Sequence, residues 1–599
     1  MASVHTFHIP VLGLSYSIDT PLKVARFGIS SVVSIIEDEL IEKMRAYHAL
    51  KNNEPYIPIT TNDNDYRAER ITAYLNLLHK LVDQQIAKMK EMSFDENNDL
   101  TKYFELLPAD NELSLQYKFM QAIPEGNKKT TLQQQLKNSI TPGAIDVNIM
   151  AKVDNLGVDK NGTPLPVEYS DALSALRGFA NSELQSSVIL SAGYNPRLYS
   201  YIEQFPDFYP NKEGIIKKQI ILKVSDYRSA VIQGKIMAKK GLWISEYRIE
   251  SGLNCGGHAF ATDGILLGPI LEEFRLKKTE LITELLPLCN TANQTKGNYI
   301  FSTPPQLRIT VQGGIGTSNE DQFLMNHYNI DGTGWGSPFL LVPEATNVDD
   351  HTLQDLATAQ KDDYFLSNAS PLGVPFNNFR KSTSEKQRIT RTEKGRPGSP
   401  CYKKFLATDT EFSETPICTA SRAYQHQKIK QLKEKGLPPE QLEKEICSIT
   451  EKDCLCEGLS AAVFLKDGIP VSHKLNAVTI CPGPNLAYFS GVFSLKEMID
   501  HIYGRANILN TLPRPNMFIN EAELYIDYLK NAIDKSIATM NAKQSKYLNT
   551  FKTNLLSGIE YYKNLASEFK KEKDQYIYQF KEQLSIQETA ITNMLIPSI

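Results

Sequence analysis

The stretches Val311-Gln-Gly-Gly-Ile-Gly-Thr317 and Asp331-Gly-Thr-Gly-Trp-Gly-Ser-Pro-Phe-Leu-Leu-Val-Pro-Glu-Ala345 decide the reading of this chain. Each holds a glycine turn at the end of an apolar run, and about one helix of sequence separates them. That rhythm describes successive strand ends in a parallel α/β barrel. Glycine at such ends lets peptide N–H groups approach phosphate oxygens, and the start of a following helix adds partial positive charge. The first expectation is a phosphate-bearing ligand held between two neighbouring strand ends.

Working outward, apolar runs recur at residues 144–149, 187–190, 219–224, 241–247, 307–311 and 332–342, preceded by short buried runs at 9–14 and 30–35. Helical patterns separate most of them, as at 227–240 and 270–284. Strands alternating with helices, near eight in number, predict a TIM (β/α)8 barrel, with a doubly wound sheet as the other α/β arrangement. Between about 37 and 140 the spacing is that of long helices, as in Ile71, Tyr74, Leu75, Leu77, Leu78 and Leu81, which reads as a helical insertion near the N-terminus. The expected layout is a barrel over 1–375, a cysteine-rich loop region over 376–515 and a C-terminal helical region over 516–599. In the last region Leu524, Tyr528, Ile533, Ile537, Met540, Phe551, Leu555 and Ile559 recur at helical spacing. They predict a helical hairpin packed on the barrel, a homodimer interface being the other use of such a face.

The 599 residues are 41% hydrophobic and 22% charged with a formal net charge of −4, which provides no field for nucleic acid or an anionic membrane. The opening Met1-Ala-Ser-Val-His-Thr-Phe-His-Ile-Pro10 lacks the basic and apolar regions of a signal peptide. No run reaches the roughly 18 apolar residues of a membrane span. A cytoplasmic location is expected. Six of the eight cysteines, Cys401, Cys418, Cys447, Cys454, Cys456 and Cys481, fall in one segment. In a reducing compartment that clustering points to a metal or a redox role before it points to disulfides.

Upstream of the two turns lies Gly241-Leu-Trp-Ile-Ser-Glu-Tyr-Arg-Ile-Glu-Ser-Gly-Leu-Asn-Cys-Gly-Gly-His-Ala-Phe260, an apolar strand start with a polar end. His258 stands where barrels carry out their chemistry and titrates near neutrality, which suits a proton donor or base. The glycines before it let a flat ring approach the backbone. The Gly256-Gly-His258 segment, Gln312-Gly-Gly-Ile-Gly316 and Gly332-Thr-Gly-Trp-Gly-Ser-Pro-Phe-Leu340 with Pro343-Glu-Ala345 resemble, in order, the three signatures of the FMN-dependent nitronate monooxygenases. The related flavin enoyl-acyl-carrier-protein reductases share the pattern. His8-Ile-Pro-Val-Leu-Gly-Leu14, Ser17-Ile-Asp-Thr-Pro21, Asp146-Val-Asn-Ile149 and Ile221-Leu-Lys-Val-Ser225 also match in order, so the resemblance spans roughly residues 5 to 350.

The resemblance implies a barrel that binds FMN. Its phosphate would lie between Gly313-Gly314 and Gly334-Trp335-Gly336-Ser337, beside Gln312. Its ring would lie over Gly13-Leu14-Ser15, with Asn148, Lys223, Gly256 and Gly257 at the edges and His258 managing the proton. Lys223 would place positive charge near the ring; a salt bridge is its other reading. The chain departs from the family in its opening Gly-Leu-Ser turn, in Asn254-Cys255 before the Gly-Gly-His, and in a strand end made polar by Glu246, Arg248 and Glu250.

Residues 364–380 are too apolar for a plain linker and read as a lid bearing Asn377 and Arg380, or as a packed connector. Cys401, Cys418 and Cys481 sit in loops near proline and Cys454 and Cys456 form a C-x-C pair, which suits an iron–sulfur cluster or a zinc site, or else small buried hydrophobes. The expected activity is that of an FMN-dependent oxidoreductase of nitronate monooxygenase type, oxidising a small organic molecule with oxygen. The alternatives are an NAD(P)H-dependent enoyl-thioester reductase and a non-catalytic phosphate-binding scaffold.

Overall fold

The computed structural model describes residues 4–95, 97–157, 163–191, 193–254, 263–471, 476–536, 540–569 and 572–597. Eight strands close into an all-parallel barrel in chain order: β1 (Phe7–Ile9), β2 (Ser30–Ser34), β3 (Ile145–Ile149), β4 (Ser187–Leu190), β5 (Gln219–Val224), β6 (Ile244–Glu250), β7 (Arg308–Gln312) and β8 (Gly332–Gly334). β8 returns to β1 through the pairs Phe7 with Thr333 and His8 with Gly334. The expected TIM barrel is therefore the fold.

Two strands differ from their sequence reading. β1 lies earlier than the 9–14 run, because Pro10 has no N–H for the ladder and Gly13 turns with φ +58. β8 stops at Gly334 and the chain enters a 3-10 turn over Ser337–Leu341, so most of the 332–342 run is buried as a plug. The 37–140 insertion is helical as expected, in five helices: Asp38–Lys51, Tyr66–Glu91, Asp99–Leu106, Glu112–Ala122 and Asn127–Ser139. Side-chain caps from Glu37, Asn98 and Asn111 satisfy the first amides of three of them. The Tyr66–Glu91 stripe of Ile71, Tyr74, Leu75 and Leu78 is buried, and it crosses the helix Asp171–Ala180 at Gly178. A Cβ at Gly178 would stand 2.7 Å from Ile71.

The segment read as loop-rich carries five helices, Thr383–Glu393, Arg422–Glu434, Pro439–Thr450, Leu455–Asp467 and Leu495–Ile502. Three of them have charged or polar surfaces that mask their helical period. The C-terminus holds three helices, Met517–Ser536, Ala542–Leu565 and Asp574–Thr592, rather than a two-helix hairpin. They pack on the barrel: Tyr562 Oη accepts from the N–H of Gly268 at the start of the helix Leu267–Lys296. No helix among the described residues is long and apolar enough to cross a membrane.

Strand pairing fixes what the barrel encloses. An irregularity at Ser245 shifts the β5–β6 register, so Glu246 rather than Ser245 lies beside Ile221, and Arg248 lies beside Lys223. Aligned neighbours in parallel strands point the same way, which makes Glu246, Arg248 and Glu250 inward residues. One side of the interior is an apolar plug of Val11, Val32, Ile189 and Ile221. The other is charged: Arg248 bonds Glu246 at 2.7 Å, Thr310 Oγ1 donates to Glu246 at 2.6 Å, and Arg308 lies 3.3 Å from it. Burial opposes the Glu246 charge, yet Arg248 and Arg308 outweigh it and hold its carboxyl below the usual range.

Removing one member of such a pair strands the other in a dry site. Glu246→Ala is expected to destabilise the barrel by about 3–5 kcal/mol, whereas replacing Glu246 and Arg248 together by methionine should recover most of that loss. Chemical denaturation of the three proteins checks this, and equal loss in the single and double variants would refute the pairing argument.

Candidate functional site at the barrel mouth

Toward the carboxyl ends of the strands Ser34 pairs with Asn148, and Glu250, Gln312, Gly334 and His8 pair in succession, with Lys223 close by on β5. Glu250 Oε1 gathers three donors: Lys223 Nζ at 3.1 Å, Gln312 Nε2 at 2.7 Å and Asn254 Nδ2 at 2.6 Å. Gln312 Oε1 in turn lies 3.4 Å from His8 Nε2. Burial, and then the charges of Arg248, Arg308 and Lys223, push the His8 pKa well down, so its imidazole is neutral at pH 7. Of the two readings of Lys223, the salt bridge is the one present, to Glu250.

Across the mouth, above β1, β2 and β3, lies a largely apolar cavity of about 80 Å³. Gly13, Leu14 and Asn148 line it with Met150, Phe376 and Leu459. Asn148 is 5% exposed, and its Oδ1 has no hydrogen-bond partner among the described residues. A buried amide oxygen left unpaired costs about 1–3 kcal/mol and marks a place where a donor belongs. Three of the seven residues expected around the ring of a flat cofactor, Gly13, Leu14 and Asn148, line one cavity.

The expected phosphate side is occupied by the chain itself. Gly313 and Gly314 have φ of +105 and +81, as the turn requires. A Cβ at Gly313 would stand 2.9 Å from the Asn254 backbone, and one at Gly314 would stand 2.6 Å from Leu253. Gly334 is required by its neighbours too, for a Cβ there would stand 2.7 Å from Gln312. The Trp335 N–H donates to His8 O, and its indole donates to the buried Asp321. Ser337 Oγ, beside Gly336, accepts from the N–H of Gly483 at 2.8 Å. The Gly316 N–H is bonded by Glu320, whose carboxylate also holds Arg514 at 2.7 Å, while Arg514 donates to Gly314 O. A carboxylate of this chain thus stands where the β7 turn offers its N–H to an anion.

The C-terminal segment closes over the mouth at several further points. Ser15, expected beneath the ring, donates through its N–H and its hydroxyl to Leu459 O at 3.1 and 2.9 Å. Tyr16 Oη donates to Thr479 O, and Asn485 Nδ2 donates to Ile315 O. The stretch read as a lid is an antiparallel hairpin, β9 (Tyr364–Ser367) and β10 (Phe376–Phe379). Its Asn377 donates to Asn254 O at 3.2 Å, while Arg380 bonds Asp362 O and covers the Phe365 ring.

The expected catalytic His258, with Gly256 and Gly257, lies outside the described residues. Of the cysteines, Cys401, Cys418, Cys454 and Cys456 come together beside the cavity, with Cys401 and Cys418 hydrogen-bonded to one another. Cys456 and Cys481 line the cavity, and Cys447 is exposed. Among the described residues no group of three or more His, Cys, Asp or Glu side chains is arranged around a point that a metal ion would take.

Two residues escaped the sequence reading. His8 alternates with the outward Phe7 and Ile9, and that alternation marks it as inward. Glu521 shares the buried face of its helix with Phe518, Ala522 and Tyr525, a charged residue in a core phase. It accepts from the Leu267 N–H at 3.0 Å and from Tyr562 Oη at 2.9 Å, and lies 3.4 Å from Ser251 Oγ at the end of β6. It thereby ties both ends of the 251–267 segment to the helical region. No protein-family model and no curated protein matches the chain.

Burial raises the Glu521 pKa from 4.5 to about 7. The folded chain then keeps a proton that the unfolded chain releases between those values, so stability should fall as pH rises from about 4.5 to about 7 and level off above. The full effect is on the order of 3 kcal/mol. E521Q should lack that component, and thermal midpoints measured from pH 4.5 to 8 would show the two proteins converging at the acid end. Parallel pH profiles would refute it.

Proposed function

We propose that this chain is an FMN-dependent oxidoreductase of nitronate monooxygenase type acting at the carboxyl face of its barrel. The observation that carries the reading is the unpartnered Asn148 amide oxygen in an apolar cavity shared with Gly13 and Leu14, across the mouth from Lys223. The side chains on the ring side suit such a group in kind, with apolar walls from Leu14, Met150 and Leu459 and one polar edge at Asn148, but a cavity of about 80 Å³ must widen to admit a flavin ring. The fit is incomplete on the phosphate side, where Leu253, Asn254 and Gly483 lie against Gly313, Gly314 and Ser337. Binding of the phosphate requires those segments to give way.

FMN, when bound, supplies electron or hydride transfer. The protein's part is to bind, exclude water and manage charge. Asn148 bonds the polar edge, and Lys223, steadied by Glu250 and Gln312, offers positive charge that favours an anionic ligand. The neutral His8 beside Gln312 adds a hydrogen-bonding group without adding charge. His258 is the proposed proton carrier. Oxygen consumption with a nitronate would distinguish this activity from NAD(P)H oxidation with an enoyl thioester.

The occupied phosphate side favours a second reading, a non-catalytic scaffold in which the C-terminal segment permanently stoppers the barrel. An absorption spectrum of the purified protein, before and after denaturation, with mass identification of any released molecule, separates the two. Released FMN is the expected result, and Asn148→Ala should then weaken FMN binding about tenfold, the equivalent of one hydrogen bond. A colourless protein that takes up no added FMN would sink the flavin reading and leave the scaffold.

A further inference from the structure

The flavin reading gives no role to the cysteines beside the cavity, and two of them are built as a pair. The sulfurs of Cys401 and Cys418 are hydrogen-bonded to one another, and neither is in a disulfide. Backbone bonds hold together the two segments that carry them. Ser399 N–H donates to Ala420 O at 3.0 Å, Arg422 N–H returns to Ser399 O at 2.8 Å, and Ser421 N–H donates to Cys418 O at 2.8 Å. Asp409 and Ile417 exchange bonds of 3.0 and 2.8 Å, which closes the intervening loop on itself just before Cys418. The meeting of the two sulfurs is thus fixed by the backbone around them.

The pair is asymmetric. Cys418 is 4% exposed, whereas Cys401 is only partly covered. Cys401 and Lys404 both adopt left-handed backbone, with φ of +57 and +58. That conformation is uncommon outside glycine and is retained where the surroundings require it. Within this turn the Lys404 N–H meets the Cys401 sulfur. The bond from Cys418, helped by Lys404, favours a thiolate at Cys401, while the same bond and burial keep Cys418 protonated as the donor. Pro400 and Tyr402, on either side of Cys401, line a polar cavity of about 150 Å³ with Arg391, which gives a small polar molecule room beside the loop.

We infer that Cys401 and Cys418 form a redox-active dithiol, in which Cys401 reduces a hydroperoxide and Cys418 closes the disulfide. The Cys401 sulfur attacks the terminal peroxide oxygen. An S–O bond forms, the O–O bond breaks, and the departing alkoxide takes a proton from solvent and leaves as an alcohol, or as water from hydrogen peroxide. The sulfur has given up two electrons and is a sulfenic acid. The Cys418 sulfur, already in contact, then attacks it: the S–S bond forms, the S–O bond breaks, and hydroxide leaves as water with the Cys418 proton. An external dithiol restores the pair by exchange, supplying two electrons and two protons and becoming a disulfide itself. Cys454 bonds the Ser399 hydroxyl rather than a sulfur, and burial keeps it and Cys456 protonated, so neither belongs to the pair. The assignment does not depend on whether the neighbouring cavity takes a flavin.

The test takes the full chain, reduces it with dithiothreitol, removes the reductant and adds hydrogen peroxide. Remaining thiols are blocked with iodoacetamide, and trypsin peptides are weighed by mass spectrometry. The expected product is peptide 395–403 joined to peptide 405–422, two hydrogens lighter than the two thiol peptides together, and separated again by fresh dithiothreitol. The link should form at least about tenfold faster than peroxide oxidises the exposed Cys447, as the larger thiolate fraction at Cys401 requires. Cys418→Ser should halt at a Cys401 sulfenic acid that dimedone captures, whereas Cys447→Ser and Cys481→Ser should keep the link. Recovery of both peptides in alkylated form, or linkage of Cys401 to Cys454 or Cys456 instead, overturns the inference without recourse to any variant. Oxidation of Cys447 as fast as the pair would overturn it as well.

Discussion

Parity inside the barrel is the constraint on which the rest depends. Side chains of aligned parallel strands share a direction, so one register decides the whole lining. Here the irregularity at Ser245 brings Glu246, Arg248 and Glu250 inward together, and the interior must then supply partners for three charges. Thr310, Arg308, Lys223 and Gln312 meet that need from the adjoining strands. The apolar residues Val32, Ile189 and Ile221 are left to fill the opposite wall. A barrel divided in this way presents a charged half and a greasy half at its mouth. The cavity by Asn148 lies over the second and the Glu250 network over the first.

The C-terminal third meets this mouth by completing hydrogen bonds of the strand ends rather than by packing alone. Leu459 and Thr479 offer carbonyls to Ser15 and Tyr16, and Gly483 and Arg514 supply donors to Ser337 and Gly314. Glu37 connects the two parts through Lys403 at 2.9 Å and Ser460 at 3.2 Å while also capping its own helix. Buried backbone groups at strand ends are expensive to leave unpaired. The extension therefore belongs to the barrel's hydrogen-bond economy as fully as the strands do.

The fold was legible in the sequence because its two signals are local: apolar runs of strand length, and glycines at their ends. The long Tyr66–Glu91 helix was legible for the same reason, its core stripe recurring at three and four residues. What stayed hidden depended on partners distant in the chain. The shortness of β8 follows from Ser337–Leu341 being buried as a 3-10 plug, and the apolar run alone does not distinguish plug from strand. The glycines of the 312–316 turn read as room for phosphate, yet Leu253 and Asn254 impose the same requirement through steric contact. The helices between 383 and 502 were masked by charge on their exposed faces. Glu521 was missed because a lone carboxylate in an apolar phase gains meaning only when Leu267 and Tyr562 are known to face it.

The bond from Ser15 to Leu459 joins residues 444 apart in sequence. On a ribosome, β1 has left the exit tunnel long before its partner β8 is made, and the segment that stoppers the mouth follows later still. At about 5–20 residues per second the interval between Gly334 and Arg514 lasts roughly nine to thirty-six seconds. Throughout it Ser15, Tyr16, Gly314 and Ser337 lack the partners that the later segment brings, so the strand ends reach their final pairing only when most of the chain has been made.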